Sequence, residues 1–286
     1  FIAVIIATII INSVFVKNEG GIQLAIGKHS SALIGLSMAS VIDYGDHYQI
    51  ACHYPQTGHK KVDEDLRLLA QKEIDSFISL VKAHEQSERF TKDEKWLLGL
   101  DFTVVRHSED IVSFVFEYSL TKDKEESTRL FSGSYDLKTE TPIVLGRLFA
   151  NDYDYLGLLA YLTKNSLSQR EDYEQIKEEG LINNTLTAIN DNYSCFALAK
   201  KHLCLYFPVG TISTKIMQTI EVEIPFSALG DCFLLKNGQL PPFNEADLLY
   251  ISANRHPKAD PDKPMIALTF DDGPSIYTPK LLDYLE

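Results

Sequence analysis

A chain of 286 residues with 45% hydrophobic and 23% charged side chains is long enough for one large or two ordinary domains with buried cores, and its composition excludes extended disorder. The formal net charge of −13 argues against nucleic acid or an anionic lipid surface as a partner, because either would repel the chain. A neutral or amino-bearing glycan meets no such penalty.

Residues 1–16, FIAVIIATIIINSVFV, are apolar except for Thr8, Asn12 and Ser13. A membrane-spanning helix needs about 20 such residues, and a chain that begins with Phe rather than Met has room for more upstream. The alternatives are the apolar core of a secretory signal and a buried helix. No small-x-small cleavage site follows, which weighs against the first, and charge enters abruptly at Lys17, which weighs against the second. The favoured reading is a membrane anchor at 1–16, with everything from Lys17 onward outside the cytoplasm.

Residues 17–45 carry Gly20, Gly21, Gly27 and Gly45 without sustained periodicity and read as a linker. The stretch 47–54 alternates as a strand. Over 61–87, Val62, Leu66, Leu69, Phe77, Leu80 and Val81 recur at mostly helical spacing, predicting an amphipathic helix. Leu100, Phe102 and Val104 alternate, as do Val112, Phe114, Phe116 and Tyr118; with a third strand over 128–137 they predict an antiparallel meander. Asn151 and Asp152 offer N-cap chemistry for a helix bearing Leu156, Leu159 and Leu162, and another helix over 171–189 is weakened by Gly180. The strands SCFALAK, HLCLYFP and TIEVEIPF follow. Residues 46–235 therefore read as an extracytoplasmic α+β domain of antiparallel sheet with packed helices.

Residues 236–262 are a proline-marked connector. Beyond it, residues 263–286 run KPMIALTFDDGPSIYTPKLLDYLE. An apolar strand ends in Asp271-Asp272-Gly273-Pro274, and Thr278-Pro279 then opens a helix. This is the form of the first βα unit of an α/β barrel, whose catalytic groups sit at strand C-termini. Two adjacent carboxylates on such a turn point in different directions, so one can ligate a cation while the other takes a proton from water.

The string Thr269, Phe270, Asp271, Asp272, Gly273, Pro274, Thr278 and Pro279 resembles the first motif of the polysaccharide deacetylase family, the NodB-homology domains. That resemblance implies Asp271 as catalytic base, Asp272 as ligand of a divalent metal, usually zinc, and an N-acetylated cell-wall glycan, peptidoglycan N-acetylglucosamine, as substrate. The family's second motif is a His-x-x-x-His pair, and none of the eight histidines here falls four from another. The expectation is a C-terminally truncated catalytic domain, inactive by itself. Upstream, FSGSYDLKTETPIVLGRLFANDYDYLGLLAYL resembles the extracytoplasmic α+β domain shared by certain anti-sigma factors and Gram-positive peptidoglycan deacetylases. The alternative function is therefore a sensor or wall-docking module without catalysis.

Other groups read more plainly. His47, His53 and His59 cluster in sequence but read as strand and loop residues. Tyr153, Tyr155 and Tyr161 could stack on sugars, although aromatics at this spacing more often pack inward. The acidic runs 63–65 and 171–174 read as solvated helix faces. Cys195 and Cys204 lie in neighbouring strands, where either a disulfide or two small buried hydrophobes is allowed.

Overall fold

A computed structural model describes residues 23–25 and 35–241, other than 88–89, 92–93, 123–124, 151–152, 179 and 237–238. The chain divides into two compact units, Phe1–Phe243 and Asn244–Glu286. The second unit, the expected anchor at 1–16 and most of the connector lie outside the described residues. Among the described residues no helix is long and apolar enough to cross a membrane.

The first unit is α+β. Seven strands form one sheet in sequence order: β1 (Gln23–Ala25), β2 (Ser37–Tyr44), β3 (Tyr48–Gln56), β4 (Trp96–His107), β5 (Ile111–Lys122), β6 (Glu125–Asp136) and β7 (Thr141–Pro142). All neighbours are antiparallel except β3 and β4. A parallel pair needs a long crossover, and the helix α1 (Lys60–Ser87) supplies it. Val62, Leu66, Ala70, Ile74, Phe77 and Val81 form its buried stripe. They pack with Ile50, Cys52 and Tyr54 of β3, Leu98 and Leu100 of β4, and Phe114 and Phe116 of β5 in one core.

Three short strands, β8 (Phe196–Leu198), β9 (His202–Phe207) and β10 (Ile220–Pro225), make a second antiparallel sheet. Leu203, Leu205, Phe207, Val222 and Ile224 gather with Leu159 and Leu167 of helix α2 (Tyr155–Leu167) and with Phe149 and Phe233 in a second core. The chain closes this half by returning beside its own entry: Leu234 N donates to Leu148 O at 2.7 Å and Ala150 N to Cys232 O at 2.9 Å. The two halves join where β8 lies against β5 and β6. Leu198 N donates to Ser113 Oγ and Phe196 N to Ser132 Oγ, each at 2.9 Å. β5 is thus covered on both faces, which is why 111–116 are all buried.

Several expectations are corrected. Residues 17–45 are not a linker throughout, since β1 and β2 fall within them and β2 pairs with β3 along its whole length. Ala39 and Val41 carry its buried face, and such small residues give little periodic signal beside the glycines. In α1, Leu80 is 42% exposed, and Ala70 and Ile74 take its place in the stripe. Asp154 rather than Asn151 or Asp152 caps α2, its carboxylate accepting from Gly157 N at 2.9 Å. The single helix over 171–189 is two short ones, α3 (Tyr173–Glu178) and α4 (Leu181–Thr185). Gly180 between them adopts a φ of 72°, a left-handed conformation that other residues resist.

Candidate functional site

Thr269, Phe270, Asp271, Asp272, Gly273 and Pro274, with Thr278 and Pro279, all lie outside the described residues. The other sequence candidates fall within them and do not converge on one site. His53 Nδ1 pairs with Ser40 Oγ at 2.8 Å across β2 and β3. His47 stacks on Phe90 with ring centroids 4.6 Å apart, while His59 lies 3.7 Å from Glu140. Tyr155 packs inward, stacked on Phe149, whereas Tyr153 is 46% and Tyr161 67% exposed, against the expectation that these tyrosines pack into a core. Within the run 63–65, Asp63 is not merely solvated: it accepts from Thr57 N and Oγ1 and from Gly58 N, fixing the turn that enters α1.

The cysteines are free, with Cys52 and Cys204 buried. Cys204 sits opposite Ala197, while Cys195 O accepts from Tyr206 N, so the two are out of register for a cross-strand disulfide. Burial, with Glu221 and Glu223 beside it, pushes the Cys204 thiol up to about 12. Sequence reasoning missed this trio, whose ligand atoms lie within 4.8 Å of one another. Tyr206 donates to Glu221 at 2.8 Å. The high thiol pKa makes Cys204 a protonated, unreactive group at neutral pH.

A more organised polar site surrounds the turn between β6 and β7. Asp136 ends β6 and folds its carboxylate over that turn, Oδ1 accepting from Lys138 N at 3.0 Å and Thr139 N at 3.3 Å. Its Oδ2 meets Arg147 Nη2 at 3.5 Å, both side chains nearly sealed from solvent, and Arg147 Nη1 also donates to Thr141 Oγ1 at 3.2 Å. Lys138 Nζ reaches Asp110 Oδ1 at 2.6 Å. Leu137 N donates to Asp110 O. Glu140 has a φ of 51°, the one positive value at a non-glycine among the described residues. Its carboxylate holds that conformation by accepting from Lys61 N at 2.9 Å, at the start of α1. Asp110, Ile111, Asp136, Lys138 and Thr139 line a cavity of about 290 Å³ together with Gln239, Leu240 and Pro241, while Arg147 and Glu140 brace the turn from outside that lining. That the third strand of the meander ends near Leu137, with a turn at 138–140 after it, was legible in the sequence. The approach of Asp110, Arg147 and Gln239 to it was not, because each comes from a different element.

Comparison with known proteins places these halves in context. Residues 146–227 match the family model described as a protein of unknown function, DUF3298. That span holds α2 to α4 and β8 to β10. The chain is 25% identical over 261 residues to the peptidoglycan-N-acetylmuramic acid deacetylase PdaC of Bacillus subtilis (strain 168), covering 88% of this chain and 54% of that protein. It thus spans about half the length of this curated relative. The fold is similar to the crystal structure of a DUF3298 family member from Bacteroides fragilis NCTC 9343, with a TM-score of 0.50 at 15% identity, covering 76% of this chain and 95% of that one. The similarity to this deacetylase is therefore distant but extends over most of the chain.

Proposed function

We propose that this chain belongs to a cell-surface hydrolase that removes acetyl groups from the amino sugars of peptidoglycan, with its chemistry at Asp271 and Asp272. The observation that carries this reading is the likeness to a deacetylase, taken together with the acid pair at 271–272. The chain is similar over 88% of its length to a peptidoglycan deacetylase, and it also holds the TFDDGP string at 269–274. Asp271 serves as the base that draws a proton from the attacking water, and Asp272 offers a hard oxygen to a divalent metal, zinc by the family's habit. When bound, such an ion polarises the acetamido carbonyl. Asp272 by itself does not make a zinc site, which takes three or four protein ligands, so further ligands must come from elsewhere. The relative's name moves the preferred ring from N-acetylglucosamine to N-acetylmuramic acid. Residues 1–16 tether the protein to the membrane, and the described α+β unit lies outside it, between anchor and catalytic groups in the chain.

Acetate release from purified peptidoglycan by the intact protein that carries this chain tests the role of Asp271. The reading requires that Asp271→Asn lower the rate by at least about 100-fold, the typical contribution of a positioned base. An unchanged rate removes Asp271 from the chemistry.

A further inference from the structure

The cavity beside the β6–β7 turn is organised beyond what folding the turn needs, and the geometry points to a binding site there for a single neutral pyranose ring of an N-acetylated hexosamine. Four observations carry this. The first is charge: the two carboxylates of Asp110 and Asp136 are each balanced by a cation, Lys138 and Arg147. Lys138 and both carboxylates line the cavity while Arg147 stands behind Asp136, so the lining offers no unpaired cation to an anion, and its paired carboxylates keep lone pairs for hydroxyl donors. The second is rigidity. The turn is pinned by Asp136 from within and by Glu140 against α1, and Glu140 is held at a positive φ. Such strain survives only where the surroundings impose it, and it gathers at binding sites. Groups fixed in advance lose little freedom when a ligand arrives.

The third observation is the rest of the lining. Leu240 and Pro241 present an apolar surface to the C–H groups of a sugar ring and its acetamido methyl, and the exposed Gln239 side chain has no hydrogen-bond partner among the described residues, leaving its amide for the acetamido group. The last is size. A volume of about 290 Å³ lies at the small end of ligand pockets, which run from about 300 to 1,000 Å³, and suits one ring rather than a length of glycan. This site rests on the cell-wall reading above for the choice of sugar. It places a glycan contact on the α+β unit rather than on the acid pair.

Titration of the whole chain with N-acetylated chitotetraose, followed by calorimetry or by amide shifts of residues 136–141, tests the site. Saturable binding is expected, weakened at least about tenfold by Lys138→Ala combined with Gln239→Ala, a loss of about 1.4 kcal/mol. Thr139→Arg, which fills the cavity from an exposed turn position, should give the same loss without a change in melting temperature. Lys72→Ala, on the outer face of α1, should bind as the parent does. A muropeptide in place of the chitooligosaccharide should bind no more tightly, since the lining offers no unpaired cation to its carboxylates. Absence of saturation, or saturation that survives both the double variant and Thr139→Arg, overturns the site. Because acetate release is measured separately, binding without release counts against the hydrolase and leaves this site standing. Release from a protein that does not bind here counts against this site alone.

Discussion

At the scale of single residues, the molecule fixes charge by pairing and thiols by burial. The Arg147 guanidinium is almost fully enclosed beside Asp136, and truncation would strand a carboxylate that also holds the β6–β7 turn. Loss of one partner of a buried pair typically costs about 3–5 kcal/mol. The 3.5 Å separation places Arg147→Ala at the lower end, about 3 kcal/mol, read from urea unfolding. Cys52 has no exposed surface, and burial pushes its thiol from 9.0 to about 12. Between these values the folded chain keeps a proton that the unfolded chain has released. This stabilisation is therefore complete below pH 9 and is lost as the pH climbs toward 12. The urea midpoint should fall with pH across that window, and less steeply for Cys52→Ala. Few of these roles were legible in the sequence. The Arg147 and Asp136 pair spans two elements, and a buried cysteine looks the same on paper as an exposed one.

At the scale of elements, legibility followed periodicity. α1 was foreseen to within a residue because large apolar side chains mark one stripe over seven turns, and Phe77 at its centre is fully enclosed. Phe77→Ala should cost about 3–5 kcal/mol in unfolding free energy. The meander β4 to β6 was foreseen because aromatic and branched residues alternate along it. β2 escaped because Ala39, Ser40 and Val41 are small and glycines flank it, so tertiary pairing with β3 decides its state. The cap of α2 was displaced because 151–154 offers three candidate caps within four residues, Asn151, Asp152 and Asp154, and only the geometry selects one. Asp154→Ala should lower stability by about 1 kcal/mol, with Asp154→Asn as the comparison that should keep most of it, since both side chains cap well.

At the scale of the whole molecule, one unit carries two cores, joined where β8 crosses the back of β5 and β6. The α+β class was readable from the order of strands and helices. The division of the strands between two sheets was not, because β8 is only three residues long and takes its place from backbone donation to Ser113 and Ser132. The proposed role of Asp271 and Asp272 rests on the TFDDGP string at 269–274. Mass spectrometry of muropeptides from purified peptidoglycan treated with the intact protein tests that chemistry most directly. The account predicts loss of acetyl groups from the amino sugars, muramic acid first, and no loss with Asp271→Asn. Muropeptides that keep every acetyl group after treatment with the folded, metal-supplied protein would contradict it.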